Sequence, residues 1–180
     1  MKAQILVKRY ANGLVDSLKD DKEFNRVFGQ IESFQKMVTS SQDLGDVLLK
    51  PFVPKSKANK VVKELLNKAK ADQKAIRFVL LLIENERVDL LDDIIEILPE
   101  AWNEKKGILT LEVSTAISLK KNQKDQLKKK LEKIEKKPVW LKYKIDKEII
   151  GGLSIRKENT FYDVSIRGDL MKLSENIKQG

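Results

Sequence analysis

The chain has 180 residues, room for one large domain or two small ones, and carries 36 basic against 27 acidic side chains for a net charge of +9. Cysteine and histidine are absent, which excludes disulfides, thiolate nucleophiles, imidazole bases and His/Cys metal sites. No apolar run approaches the roughly 20 residues that span a bilayer, so a soluble, well-solvated globular chain is expected.

The first half reads as a succession of helices. Ile5, Leu6, Tyr10, Ala11, Leu14, Val15 and Leu18 fall at three- and four-residue steps, an amphipathic helix rather than a signal peptide. Asp20, Asp21 and Lys22 interrupt that stripe. A second one follows in Phe24, Val27, Phe28, Ile31, Phe34 and Val38. Thr39-Ser40-Ser41 reads as a turn, and Asp43 as the cap of a short helix through Leu49. Pro51 and Pro54 bracket a connection. Ala58, Val61, Val62, Leu65, Leu66 and Ala69 form the next helix. Asp72 is placed to cap another from Gln73 to about Glu86, and Asp89 to open a last one to about Trp102, with Pro99 as a kink or an end. The expected architecture is an all-α N-terminal six-helix bundle over residues 1–104.

One of these helices is over-supplied with apolar residues. Phe78 to Ile83 is apolar for six residues, so the helix must be covered on most sides. It either runs through the middle of the bundle or packs one side inward and offers the other to a partner helix.

After Lys105-Lys106-Gly107 the period changes. Ile108, Leu109, Leu111 and Val113 predict a strand, and residues 118–136 an amphipathic helix. Val139, Leu141, Tyr143 and Ile145 alternate strictly, as in a strand with one buried face. Leu153 and Ile155, then Phe161 and Val164, suggest a hairpin turning near Glu158-Asn159. A short helix from Asp169 to Lys178, carrying Leu170, Leu173 and Ile177, closes the chain. This order predicts a small α+β C-terminal domain over residues 105–180.

Charge divides the same way. Residues 1–104 carry 17 basic and 17 acidic side chains; residues 105–180 carry 19 and 10. The excess concentrates in KKNQKDQLKKKLEKIEKK, residues 120–137, with nine lysines and three acids. Leu119, Gln123, Leu127, Leu131 and Ile134 make a narrow stripe along it, and Lys stems can cover apolar surface while their ammonium groups stay wet. Two readings remain. The lysine face steers an acidic protein partner, or the segment is a basic nucleic-acid-binding module. Single-strand binders add aromatics to their basic residues, and none lies between 103 and 139, which favours the protein partner.

Catalytic readings are weak. The eight glycines form neither a Walker-type loop nor a Gly-x-Gly-x-x-Gly motif, and no cofactor is expected. Asp92-Asp93 point about 100° apart on a helix and do not converge. Gly151-Gly152 reads as a bend where backbones approach closely. Asp163, Ser165 and Arg167, alternating with Val164 and Ile166, read as the outer face and exit turn of a strand.

Several segments together resemble the delta subunit family of F-type ATP synthases, the bacterial counterpart of the oligomycin-sensitivity-conferring protein. Lys8-Arg9-Tyr10-Ala11 with Leu14 resembles that family's opening helix, and Glu84-Asn85-Glu86-Arg87 its Glu-Asn-x-Arg segment. Val113-Ser114-Thr115-Ala116 with Leu119, Gln123 and Leu127 resembles its crossing from strand to helix. The most specific part is Val139-x-Leu141-x-x-x-Ile145-Asp146-x-x-Ile149-x-Gly151-Gly152-Leu153-x-Ile155-Arg156, then Asp163-x-Ser165-x-Arg167-Gly168-x-Leu170. Lys147 departs from a frequent Pro, and Thr115 from a frequent Ser.

The resemblance implies a non-catalytic stator subunit of a proton- or sodium-translocating ATP synthase, linking the alpha/beta head to the b-subunit stalk. The helical domain would bind the N-terminal helix of an alpha subunit. The basic domain would hold the C-terminal region of the b subunit. For the first contact the expected groove is Val7, Tyr10, Gly13, Leu14, Phe78, Leu81 and Leu82. For the second it is the basic surface of Lys120, Lys121, Lys124, Lys128 and Lys129. No small-molecule substrate and no nucleic acid are expected. The start of the chain, without a transit-like segment, leads to an expected place on the cytoplasmic side of a bacterial membrane, peripheral through the complex.

Overall fold

The computed structural model describes residues 2–49, 53–157 and 160–171, in two compact units, Met1–Lys105 and Lys106–Gly180. The first unit is helical: α1 (Lys2–Ser17), α2 (Asp21–Ser40), α3 (Gln42–Leu49), α4 (Lys55–Lys68), α5 (Gln73–Glu84) and α6 (Leu91–Lys105). Its apolar stripes meet in one core. Val7, Ala11, Leu14, Val15 and Leu18 of α1 pack with Val27, Ile31 and Phe34 of α2, Val62 and Leu66 of α4, Val79 and Leu82 of α5, and Ile94 and Leu98 of α6. Burying each such large side chain stabilises the unit by about 1.5–3 kcal/mol relative to leaving it exposed.

Local chemistry sets the helix ends. The Asp20-Asp21-Lys22 interruption is the start of α2. The Asp20 carboxylate accepts from the Glu23 backbone N–H at 2.8 Å, while the Glu23 carboxylate accepts from Lys19 N–H at 2.7 Å. Those two bonds satisfy donors that a helix start leaves open. Asp72 caps α5, accepting from Lys74 N–H at 2.9 Å. Asp89 does not open α6. It lies in a 3-10 turn, Val88–Leu90, and α6 starts at Leu91.

Pro99 does not end α6 either; the helix runs through it to Lys105. Proline removes one backbone donor, which deprives the Ile95 carbonyl of its helical partner. Burial of Leu98, Ala101 and Trp102 holds the turns on both sides of the gap. Trp102 stacks on Phe24 with ring centroids 4.9 Å apart, and its indole N–H donates to Asp21 Oδ1 at 2.7 Å. Lys105, the last residue of α6, donates through Nζ to the carbonyls of Val15 at 2.9 Å and Leu18 at 2.6 Å.

Among the described residues, the second unit is a four-stranded sheet with a long helix packed against it. β1 (Leu109–Thr115) leads through α7 (Lys121–Glu135) to β2 (Val139–Ile145), and β3 (Gly152–Lys157) and β4 (Thr160–Ser165) follow. Strand order is β2-β1-β3-β4, with β1–β2 parallel and the other two pairs antiparallel. A parallel β1–β2 pair needs a crossover, and α7 supplies it. Leu111, Val113, Leu131, Val139 and Ile155 form the core, with Leu109, Leu127, Leu141, Tyr143 and Leu153 around it.

Three expectations are corrected here. Ile134 stands 73% exposed in the last turn of α7, because the sheet's apolar residues gather under Leu127 and Leu131. Phe161 and Val164 are exposed, as is every residue of β4 except Ser165, which was expected on the outer face and is buried. Hydrogen bonding makes the burial of Ser165 tolerable: its hydroxyl accepts from Gly168 N–H at 3.0 Å. Residues 166–171 are helical, so the closing helix begins three residues before Asp169; Leu173 and Ile177 lie outside the described residues, as does the Glu158-Asn159 turn.

Gly151-Gly152 is the close approach that the sequence suggested. Gly152 has φ +79°, and a Cβ there would sit 2.3 Å from the Val164 carbonyl oxygen. Only glycine meets both conditions without strain.

Candidate partner-binding groove

In the first unit, α1 and α5 flank an open cleft of about 760 Å³. The end of α1 meets the start of α5, where Lys74 Nζ donates to the Ser17 carbonyl at 2.6 Å. Residues of α1 at three- and four-residue steps, Leu6, Tyr10, Gly13 and Leu14, face Phe78 and Leu81 of α5 across it. Leu14 and Phe78 are buried and make the floor. Leu6 and Tyr10 are half-buried, and Leu81 is 44% exposed, an apolar side chain left without a cover. Apart from the adjoining residues and backbone of α1 itself, no atom lies within 4 Å of where a Gly13 Cβ would be, so open space stands over α1 at that point.

Of the seven groove residues expected from the sequence, the structure gathers Tyr10, Gly13, Leu14, Phe78 and Leu81 at this cleft. Val7 and Leu82 are corrected. Leu82 has no exposed surface and belongs to the bundle core, and Val7 is buried on the side of α1 that faces Asp93 and Ile97 of α6. The reason is helical geometry. Leu82 follows Leu81 by about 100°, which turns it from the cleft to the interior. Sequence reasoning missed Leu6, Arg9, Arg77 and Arg87, which also line the cleft. The signal was present, since Leu6 and Arg77 each stand one turn before a groove residue, Tyr10 and Leu81.

The lysine helix is an ordinary packed helix in its first role. Gln123 closes its start, its side-chain oxygen accepting from Lys120 N–H at 2.8 Å. Lys120, Lys121, Lys128 and Lys129 are exposed, whereas Lys124 is half-buried with its ammonium 4.8 Å from the Tyr143 ring centre. Lys124 therefore covers the edge of the core rather than extending the open basic face. Burial pushes the Tyr143 phenol pKa up, and the charge of Asp125 adds to the shift.

The polar cluster near the end of the chain is structural in its contacts. Asp163 accepts from Ser165 N–H at 2.9 Å, and Arg167 pairs with Glu148 at 2.7 Å. Among the described residues no group of three or more acidic side chains is placed to hold a metal. Nor is any described helix long and apolar enough to cross a membrane.

Residues 6–177 match the family model described as ATP synthase delta (OSCP) subunit. The chain belongs to that family. It is similar to ATP synthase subunit delta of Rickettsia canadensis, 31% identical over 170 residues, covering 94% of this chain and 90% of that one. It is likewise similar to ATP synthase subunit delta of Carboxydothermus hydrogenoformans, 31% identical over 180 residues, covering 98% and 99%. The fold resembles a chain in a cryo-EM structure of the Toxoplasma gondii mitochondrial ATP synthase hexamer, with TM-score 0.62 at 18% identity over 96% of this chain and 97% of that one. As a delta family member the protein is a non-catalytic stator subunit of ATP synthase. Its work is binding to other subunits of that complex rather than turnover.

Proposed function

We propose that the first unit holds the N-terminal helix of an alpha subunit in the α1–α5 groove, and that the second unit holds the C-terminal region of the b subunit. The observation that carries the first half is the cleft itself. It has an apolar floor in Leu14 and Phe78 and an exposed wall residue in Leu81. An amphipathic helix laid into such a groove buries its apolar stripe against these side chains, a common recognition mode. Tyr10 is the natural anchor, with an apolar ring and a polar tip.

The charge split supports the second half. The basic face of Lys120, Lys121, Lys128 and Lys129 suits an acid-rich stalk segment. Held this way, the protein lies on the cytoplasmic side of a bacterial membrane through its complex. The nucleic-acid alternative loses its footing once family membership assigns the chain to a stator.

Calorimetry of the full chain against a peptide of the cognate alpha N-terminus tests the groove. Tight one-to-one binding with a negative heat-capacity change is the expected result. Absence of binding overturns the groove assignment. Binding to the b stalk that is unchanged by strong salt overturns the electrostatic account of the stalk contact.

A further inference from the structure

We infer that the α1–α5 groove selects its occupant by charge as well as by shape, taking an amphipathic helix whose apolar stripe is flanked by carboxylates. This rests on the groove reading above and adds the partner's chemistry to it. Residues 1–104 balance 17 basic and 17 acidic side chains, but the groove does not share that balance. Arg9, Lys74, Arg77 and Arg87 line it, and no acid does.

The four cations are not equivalent. Lys74 is already satisfied, at 2.6 Å from Glu23 Oε1 and 2.6 Å from the Ser17 carbonyl. Arg87 donates to the Glu86 carbonyl at 3.0 Å, and its charge is partly offset by the Glu86 carboxylate, whose pKa it helps to lower after Lys55. Arg9 and Arg77 make no ion pair among the described residues, although this surface pairs other cations, such as Arg26 with Asp72 and Lys55 with Glu86, both at 2.7 Å.

The placement matters as much as the count. Arg9 lies one turn before Gly13 on α1, and Arg77 one turn before Leu81 on α5. A guanidinium thus stands on each wall beside an apolar contact. An occupying helix with its stripe turned to Leu14 and Phe78 brings the residues beside that stripe to these two forks. Carboxylates there match the fork geometry in a bidentate manner. The cleft on the other side of α1 has the opposite sign, with Asp93 and Glu96 against Lys8. The positive rim is therefore a property of the groove and not of α1 as a whole.

The test uses the full chain and two designed helical peptides of about 20 residues. Both carry the same leucine stripe. One has Glu at the positions beside the stripe and the other has Gln. The expected result is roughly tenfold tighter binding of the Glu peptide at low salt, a preference that shrinks as salt rises. In an Arg9→Gln/Arg77→Gln variant the two peptides should bind alike. A Gly13→Trp variant should exclude both, which locates them in the groove. Equal binding of both peptides by the unaltered chain, with exclusion by Gly13→Trp, overturns the charge inference and leaves the groove reading intact. Failure of both peptides to bind, or binding that Gly13→Trp leaves untouched, overturns the groove and the charge inference together.

Discussion

Lys74 of α5 reaches Glu23 of α2, with Nζ 2.6 Å from Oε1, and the same ammonium holds the carbonyl of Ser17 at the end of α1. One side chain thus ties three helices. The Lys74 hydrogen bond, helped by the Lys19 N–H, holds the Glu23 carboxyl below its ordinary pKa near 4.5. Asp72 is shifted the same way, first by the Lys74 backbone N–H and then by Arg26.

These shifts have a direction in stability. A carboxyl with a lowered pKa in the folded state is protonated first in the unfolded chain, so its contribution is complete above the unfolded value and fades as pH falls. Glu23→Gln should be less stable than the unaltered chain at neutral pH. The gap should close as pH drops below about 4.5. Urea midpoints measured across that range check this, and a gap independent of pH would remove the ionic contribution.

Leu81 and Leu82 are neighbours with opposite fates, 44% exposed and fully buried. Leu82→Ala should cost about 2–5 kcal/mol of folding stability, as large-to-small core changes do. Leu81→Ala should leave stability within about 0.5 kcal/mol and weaken the alpha-helix contact instead. Tyr10→Ala should weaken the same contact by about 1–3 kcal/mol. Thermal unfolding and calorimetry on the three variants separate the two effects.

Gly13 offers a cleaner probe, because open space stands over it. Gly13→Ala should raise stability by about 0.5–1 kcal/mol, since glycine inside a helix is costly. Gly13→Trp should fold and yet lose its groove partner. Circular dichroism melts paired with peptide titration read both outcomes.

Gly152 should not tolerate change. Its φ of +79° and the closeness of the Val164 carbonyl oppose any side chain. Gly152→Ala should destabilise the second unit by more than about 1 kcal/mol. Gly151→Ala meets only the end of the Ile166 side chain, at 2.7 Å, which can swing aside, so its effect should be smaller. Amide exchange in β3 and β4 would report the difference.

The sequence showed most of each helical stripe and the α5 cap at Asp72 because each is a local pattern with one physical cause, whereas Ile5 and Ile145, expected on buried faces of α1 and β2, stand 68% and 58% exposed. It showed less where tertiary packing overrides local rules. Pro99 reads as a kink or an end, yet α6 continues past it with Leu98 and Trp102 buried on either side. The apolar residues of β4 read as core, yet both of its sides are exposed up to Val164, and only Ser165, held by the Gly168 N–H, is buried. At the cleft, Leu81 was legible as part of a helix with more apolar surface than one bundle face needs. The separation of Leu81 from Leu82 was not, because an all-apolar helix leaves its rotation undetermined by composition.

Lys105 closes the first unit, and three carbonyls near the end of α1 receive its ammonium: Val15 at 2.9 Å, Asp16 at 3.3 Å and Leu18 at 2.6 Å. Residue 105 is also where the chain leaves for the second unit. Tension arriving along the backbone at that point cannot unzip α6 alone, one turn at a time. The Lys105 clamp passes the load to α1, and the Trp102–Phe24 stack and the Trp102–Asp21 bond pass it to α2. In a stator subunit, the exit residue is thereby an anchor that spreads a pull on the chain over three helices.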